Sequence, residues 1–298
     1  MKRTPTYIAL NLLVLFVCLF YLGVLIVEPR PFGHLQGFAG AGYLGLAAML
    51  LIISQAIKAL RLNMLLIEEE NTAIPFVALY CKTTIVSIII PAKLGELFRY
   101  YSFAYRSKKK LRAIMGVLLD RMSDVLVLIP LFAIQLLSEP STVNAILAPI
   151  MLFGVTFCVA FIGFPSFYRF FNLHLIVKGN GSSSIFLLRN LHVANEVHST
   201  TMGILRSRWA IALFLSAIAW FFDYTCLGCC AAYLRQPFNL SVYGQFLRLG
   251  GLNFGAVQTL YSVYLILAGV VLGVVAAGAY VSRTLANTRS LAEPFALN

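Results

Sequence analysis

The sequence predicts an all-α polytopic membrane protein, with about six transmembrane helices plus two re-entrant hairpins arranged as an inverted repeat. Three observations carry this. Of 298 residues, 60% are hydrophobic and only 11% are Asp, Glu, Lys or Arg, with a mean hydropathy of +0.86; soluble domains carry roughly a quarter charged residues. Apolar runs of spanning length recur along the whole chain, and a hydrocarbon core of about 30 Å takes about 20 residues per helix. Lys and Arg outnumber Asp and Glu by 23 to 11, a formal charge of +12, and they gather between particular runs, as bases do on the cytoplasmic side of a membrane. The excess charge therefore has a topological reading, and no nucleic-acid partner is expected. Residues 1–298 form a single transmembrane domain with no room for a separate soluble catalytic unit.

Lys2 and Arg3 precede the uncharged run Tyr7–Val27, too long for a signal-peptide core and read as a retained first helix with a cytoplasmic N-terminus. Glu28-Pro29-Arg30-Pro31 breaks that helix, and a second span, 38–57, returns to Lys58 and Arg61 on the basic side. Glu68, Glu69 and Glu70 then read as a solvated patch. Residues 74–91 are apolar enough to cross, yet they carry Lys82, Thr83, Thr84 and Ser87. The stretch that follows, from Lys93 to Arg112, holds seven bases and one acid, Glu96. A crossing would put that basic loop outside, so the sequence predicts a re-entrant hairpin that leaves from the side it entered. Irregular backbone at membrane depth needs protein or a water-filled cavity to satisfy its polar groups, and the hairpin therefore implies a cavity.

The chain next crosses outward over 113–137, turns at 138–141, and returns over 143–164. Arg169, Lys178, Arg189, Arg206 and Arg208 mark a long cytoplasmic connection, in which 178–184 reads as a flexible linker and 185–205 as an interfacial helix or a connector. Residues 209–234 cross outward. Gly250, Gly251, Asn253 and Gly255 interrupt the next uncharged run, so 240–255 reads as a second re-entrant element, entered from outside, before a final span over 256–281. Arg283 and Arg289 place the C-terminus in the cytoplasm. Each half, 5–138 and 141–284, then has the order span, span, hairpin, span, with opposite orientation and little residue identity. Such repeats put a binding site where their broken elements meet.

Charges inside the bilayer are the sharpest chemical signal, since each costs roughly 2.5–3.5 kcal/mol at a helix centre on insertion scales. Asp120, Arg121 and Asp124 fall in one span, near the midplane by helical rise. Asp120 and Asp124 share a face, and Arg121 and Asp124 can pair. Their structural reading is a buried ion pair that fixes packing; the functional one is a cavity wall facing Glu96 and Arg99. Pro91 ends the preceding helix, Gly95 allows close approach, and Lys93 and Arg99 offer donors suited to phosphate; an ordinary basic loop is the bland alternative. Asp223 is a further intramembrane acid, to be paired with Arg248 or Arg121. The six cysteines, Cys18, Cys81, Cys158, Cys226, Cys229 and Cys230, lie in apolar runs and read as packing residues. No His or further Cys completes a metal set around the last three, so neither metal nor cofactor is expected.

The run from Ile89 through Pro91, Gly95 and Glu96 to Arg99, followed by Leu119-Asp120-Arg121-Met122-Ser123-Asp124, resembles the lysylphosphatidylglycerol synthase transmembrane family, also called flippase-like. Ala59-Leu60-Arg61 is similar to that family's second-helix end. The likeness covers most of the chain, but only its first-half motifs are specific. In the second half, Gly255-Ala256-Val257-Gln258 stands where the family usually has Gly-x-x-Glu, so Gln258 replaces an acid. The resemblance implies a lipid-handling membrane unit without the synthases' soluble aminoacyl-transferase domain. Its expected partner is a membrane lipid, an anionic phospholipid or a polyprenyl phosphate, moved between leaflets of the cytoplasmic (inner) membrane. Lys93, Arg99 and Arg121 would bind the headgroup; Glu96, Asp120, Asp124 and Asp223 would orient those bases or exchange protons. Pro91, Gly95, Gly251, Gly255 and Gln258 would shape the hairpins. Two alternatives stand beside this: an accessory subunit partnering a membrane glycosyltransferase or other envelope enzyme, and an intramembrane lipid-modifying enzyme using Asp120 or Asp124 as base. The last lacks an accompanying nucleophile or intramembrane His.

Overall fold

The computed structural model describes residues 37–66, 73–90, 94–138, 140–178, 182–206, 208–248 and 258–292. These residues are helical with no strand, and form α1 (Gly37–Leu65), α2 (Ala73–Ile89), α3 (Leu94–Arg106), α4 (Lys110–Ser138), α5 (Pro140–Lys178), α6 (Ser182–Leu205), α7 (Trp209–Tyr233), α8 (Leu240–Arg248) and α9 (Gln258–Ala292). Four stretches among them are long and apolar enough to cross a membrane: Gly40–Leu65, Gly154–Val177, Trp209–Tyr233 and Thr259–Ser282. The protein is membrane-embedded. The expected first span, Tyr7–Val27, the acidic patch at 68–70, and Pro91, Lys93, Gly251 and Gly255 lie outside the described residues.

Helices α1 and α7 form the spine. They run antiparallel: the Arg208 guanidinium donates to the Met64 carbonyl (2.8 Å), Ser54 Oγ to the Ala219 carbonyl (3.2 Å), and Cys226 Sγ to the Ala47 carbonyl (3.3 Å). The buried stripe of α7, Ala212, Ser216, Ala219, Asp223, Cys226 and Cys230, recurs every three or four residues and contains only small or polar side chains. Without a hydrophobic force between helices in lipid, such side chains let backbones approach until dispersion and hydrogen bonding hold them. The cysteine thiols are part of this seam.

Helices α2 and α3 form a closed antiparallel pair. At its open end the Phe76 and Phe103 rings are 6.0 Å apart and the Arg106 guanidinium donates to the Pro75 carbonyl (2.9 Å). At the closed end Gly95 lies against the backbone of Val86 and Ser87. A Cβ there would meet the Ser87 backbone and approach the Val86 carbonyl oxygen to 2.7 Å, so only glycine permits this approach. The 17 residues of α2 extend about 25 Å, short of the hydrocarbon thickness. On its other side the pair is held by α9, whose Tyr261 hydroxyl donates to the Ile88 carbonyl (3.1 Å) and whose Leu265 and Leu272 join its core.

Two elements differ from the sequence reading. α5 is 39 residues and continues through Pro165 to Lys178, so its best apolar stretch is 154–177 rather than 143–164. Arg169 looked like a helix end, but the apolar residues around it, Phe167, Phe170, Phe171 and Leu173, keep the helix lipid-compatible. Beyond it, 185–205 takes the helical one of its two readings as α6, which starts at Ser182, within the stretch read as a flexible linker. Its Ile204 is buried with Leu65, Leu119 and Ala212 of α1, α4 and α7. α8 turns back along α7 from the opposite end: Phe238 packs on Gly228, and Tyr243 packs edge-on to Tyr224 (5.1 Å) and Trp220 (6.3 Å).

Gly95→Ala should lower the thermal midpoint of the detergent-solubilised protein, at a cost of about 1–3 kcal/mol for forcing packed backbones apart. Gly42→Ala is the control of opposite sign. Its added Cβ meets nothing within 4 Å and should gain up to about 1 kcal/mol of helix propensity.

Candidate functional site

The spine and the hairpin bring one dense set of charges together. Arg61 of α1 is 1% exposed and is gripped by two acids of α4. Its Nε donates to Asp120 Oδ1 (2.7 Å), Nη1 to Asp124 Oδ1 (2.6 Å) and Nη2 to Asp124 Oδ2 (3.1 Å), and Nη1 also donates to Ser216 Oγ of α7. Asp124 Oδ1 in turn accepts from Ser216 Oγ (2.7 Å) and Trp220 Nε1 (3.0 Å). A carboxylate with this many donors stays tightly held, and a buried guanidinium with two carboxylates escapes the desolvation penalty of an unpaired charge.

One turn deeper, Lys58 pairs with Asp223 and lies 4.9 Å from the centre of the Trp220 ring; Ser54 Oγ donates to the other oxygen of Asp223. On the hairpin side, Arg99 is 1% exposed, with Nη2 3.6 Å from Asp120 Oδ2 and its guanidinium 5.1 Å from the Tyr80 ring. Tyr80 donates to Gln55 of α1 (3.0 Å). Arg121 reaches three acids: Glu96 at 3.1 Å, Asp124 at 3.8 Å and Asp120 at 3.9 Å. Glu96 also accepts from Ser87 Oγ, closing the hairpin's foot. The four bases Lys58, Arg61, Arg99 and Arg121 thus face the four acids Glu96, Asp120, Asp124 and Asp223, a formal sum of zero.

The arrangement is balanced in charge but incomplete in hydrogen bonds. Nε and Nη2 of Arg99 and the hydroxyls of Ser102, Thr84 and Tyr243 are buried without a hydrogen-bond partner, and Arg121 Nε and Glu96 Oε2 meet each other as an ion pair at 3.1 Å without hydrogen-bond geometry. Native interiors leave few such groups, and a cluster of them marks a place where another molecule or water can supply the missing partners. Beside the cluster a groove of about 330 Å3 opens between α1, α2 and α9. Gln55 and Tyr80 sit at its polar edge, and Ile52, Phe76, Val271 and Leu272 line its apolar part. Among the described residues no group of three or more His, Cys, Asp or Glu could hold a metal ion.

Of the residues singled out in the sequence, Glu96, Arg99, Asp120, Arg121 and Asp124 meet in this one network, and Asp223 joins it through Lys58. The expected partner of Asp223 was Arg121 or Arg248. Lys58 takes that place because it stands on the antiparallel α1 face, whereas Arg121 points to the hairpin. The side chains of Arg248 and Gln258 are outside the described set. Sequence reasoning missed Arg61 and Lys58 as site residues and counted them only as bases at a helix end. Their signal was the spacing Ser54, Lys58, Arg61, which places three polar groups on one face of an otherwise apolar span. Depth also differs. Asp120 and Asp124 are level with Arg61, which is only about 6 Å from the end of α1 by helical rise, because the first turns of α4 project past α1, where Gly116 packs on Leu66.

No protein-family model, curated protein or solved structure matches the chain.

Arg61→Gln should cost about 3–5 kcal/mol of stability, because it leaves Asp120 and Asp124 buried with fewer cations than acids. The double substitution Arg61→Gln with Asp124→Asn should be milder than the single one, since Asp120 keeps Arg99 and Arg121 within 4 Å. Denaturation of the two proteins in detergent measures the order.

Proposed function

We propose that the chain binds an anionic lipid headgroup, of a phospholipid or a polyprenyl-phosphate-linked lipid, and moves that lipid between leaflets. The single observation that carries this reading is Arg99: a fully buried guanidinium with two nitrogens lacking an acceptor, at the foot of a helical hairpin. A phosphate supplies the acceptors that Arg99 lacks and competes with the carboxylates shared by Arg121, and guanidinium groups suit its geometry. The carboxylates then act as competing partners. They hold the bases when no lipid is present and release them, by exchange or by protonation, when one arrives. The groove between α1, α2 and α9 gives a tail a lateral path beside the headgroup site, so the polar end need not drag through hydrocarbon alone.

The hairpin α2–α3 and the returning helix α8 play the part of the two re-entrant elements, one from each face, within the repeats 5–138 and 141–284. The resemblance to the lysylphosphatidylglycerol synthase transmembrane family agrees with this reading. With no ATP-binding motif in the sequence, movement is downhill, ion-coupled or driven by consumption of the lipid. The end of the bundle carrying Arg106, Lys108, Lys109, Lys110, Arg112, Arg206 and Arg208 faces the cytoplasm by the positive-inside rule, with both termini on that side.

A second reading has its own support. A charge network that sums to zero stabilises a fold without any ligand, and favours a non-transporting accessory subunit of an envelope enzyme. Reconstitution decides between the two. With headgroup-labelled anionic lipid and a membrane-impermeant quencher, the protein should accelerate transbilayer exchange. Arg121→Ala, at a partly exposed position, should slow that exchange about tenfold or more, the worth of one charge-assisted hydrogen bond. No acceleration with phosphatidylglycerol or polyprenyl phosphate would transfer support to the accessory reading.

A further inference from the structure

A larger apolar space lies on the other side of α4, away from the hairpin. α4, α5, α6 and α7 enclose a groove of about 1040 Å3, walled by Met122, Leu126, Phe161, Ile162, Met202 and Leu213. His198 is built into its wall: the imidazole lies 4.7 Å from the Phe161 ring and 5.0 Å from the Phe164 ring, and its Nε2 is 3.1 Å from the Phe161 carbonyl oxygen. Where α6 ends and α7 begins, the exposed Arg206 and the half-exposed Trp209 border the groove. Gly203 also borders it, and a Cβ at that position meets nothing within 4 Å, so the space reaches the helix backbone.

Size and charge together select an occupant. A methylene fills about as much space as a water molecule, about 30 Å3, so the groove takes about 35 methylenes, the content of two long acyl tails. A spanning helix 10–12 Å across and about 30 Å long needs more than twice this space, so flexible tails match it better than an incoming helix. The groove runs inward from the basic end of the bundle, where Arg206 adds a cation and Trp209 an interfacial ring, the pairing that holds a lipid headgroup at the membrane surface. We propose that this groove holds the two tails of an anionic phospholipid of the leaflet on that side, resident in the fold, with its phosphate at Arg206. This site shares no side chain with the ion-pair network and needs only that the bundle is membrane-embedded, so it stands or falls independently of lipid translocation.

Tryptophan quenching by brominated tails tests it. The chain contains two tryptophans, and Trp220 lies in the ion-pair network. The difference between the intact protein and Trp209→Phe therefore isolates Trp209. The full chain is placed in phosphatidylcholine vesicles containing a minor fraction of dibrominated phosphatidylglycerol, or the same fraction of dibrominated phosphatidylcholine. Trp209 should be quenched with about fivefold preference for phosphatidylglycerol, the worth of one basic side chain near an anionic headgroup. Arg206→Glu should abolish that preference. Gly203→Phe, whose Cβ meets nothing within 4 Å and whose ring would project into the groove, should cut quenching of Trp209 by both lipids while leaving Trp220 emission unchanged, with the thermal midpoint of the variant measured to check that the fold is kept. Equal quenching by the two lipids, or a preference that survives both Arg206→Glu and Gly203→Phe, would overturn the proposal and mean that Trp209 sees only annular lipid or that protein fills the groove.

Discussion

The burial of Arg61 between Asp120 and Asp124 is the constraint on which the bundle depends. A guanidinium at 1% exposure in an apolar environment is tolerable only with its acids at hydrogen-bond distance. That requirement fixes three helices at once, because Arg61 belongs to α1, the acids to α4, and the serine and indole that complete Asp124 to α7. The register of α1 against α7 follows. Ala47 meets Cys226, Ser54 meets Ala219 and Asp223, and Lys58 meets Asp223, contacts spaced by one or two turns along α1 and by three or four residues along α7. Apolar packing alone would allow these helices to slide by a turn with little change in dispersion energy. The ion pairs forbid it, since a slide of one turn strands a charge. Small side chains along the seam make the close approach feasible, and the charges select one approach among many.

The hairpin is tied to the same network by different chemistry. Arg99 has no close carboxylate bond of the kind Arg61 enjoys; it rests against the Tyr80 ring and 3.6 Å from an Asp120 whose other oxygen belongs to Arg61. Arg121 is similarly shared, with three acids within 4 Å and the shortest approach to Glu96 of the hairpin itself. The network therefore has a stiff half and a soft half. Around Arg61 every donor and acceptor is committed, and substitution there is a question of folding. Around Arg99 and Arg121 the ion pairs are longer or shared, and buried nitrogens of Arg99 lack hydrogen-bond partners. This asymmetry leaves the soft half freer to rearrange than the stiff half.

How much of this was legible in the sequence depends on the kind of signal. Hydropathy and loop charge identified a helical membrane protein and most of its helices, because apolar length and basic flanks are local properties. The conflict between the apolar run 74–91 and the seven bases after it pointed to a hairpin there; the basic stretch, read as a loop, folds in part as α3 (Leu94–Arg106), which packs back on α2. Within the site, Glu96, Arg99, Asp120, Arg121 and Asp124 were readable as charges in the wrong solvent. Arg61 and Lys58 were not, because a base near the end of a span has an ordinary explanation in snorkelling to the interface, and only the tertiary register shows that they turn inward. Asp223 was recognised, but its partner depends on the antiparallel pairing of helices separated by over 150 residues in sequence, which no local pattern encodes. The continuation of α5 to Lys178 was obscured by Pro165, and the start of α6 at Ser182 by a glycine- and serine-rich stretch, features that usually end helices, whereas 185–205 was open to a helical reading.

Helix α4 shows why a bundle of this composition needs two kinds of solvent inside it. Its charged positions, Asp120, Arg121 and Asp124, turn to α1, α3 and α7, while Leu119, Met122 and Leu126 on the adjoining face border the large groove. The first face is stable only if every charge finds a counter-charge. The second gains nothing from polar neighbours and would lose dispersion contacts to a void. A helix with such a division cannot be buried uniformly in protein or in lipid. Ion pairs cover one side; the other presents an apolar face that dispersion contacts, not charges, satisfy. The position of α4 is thus set most firmly toward the hairpin and the spine, by electrostatic pairing. Whatever packs against its apolar face bears on the same helix that holds Arg61 in place.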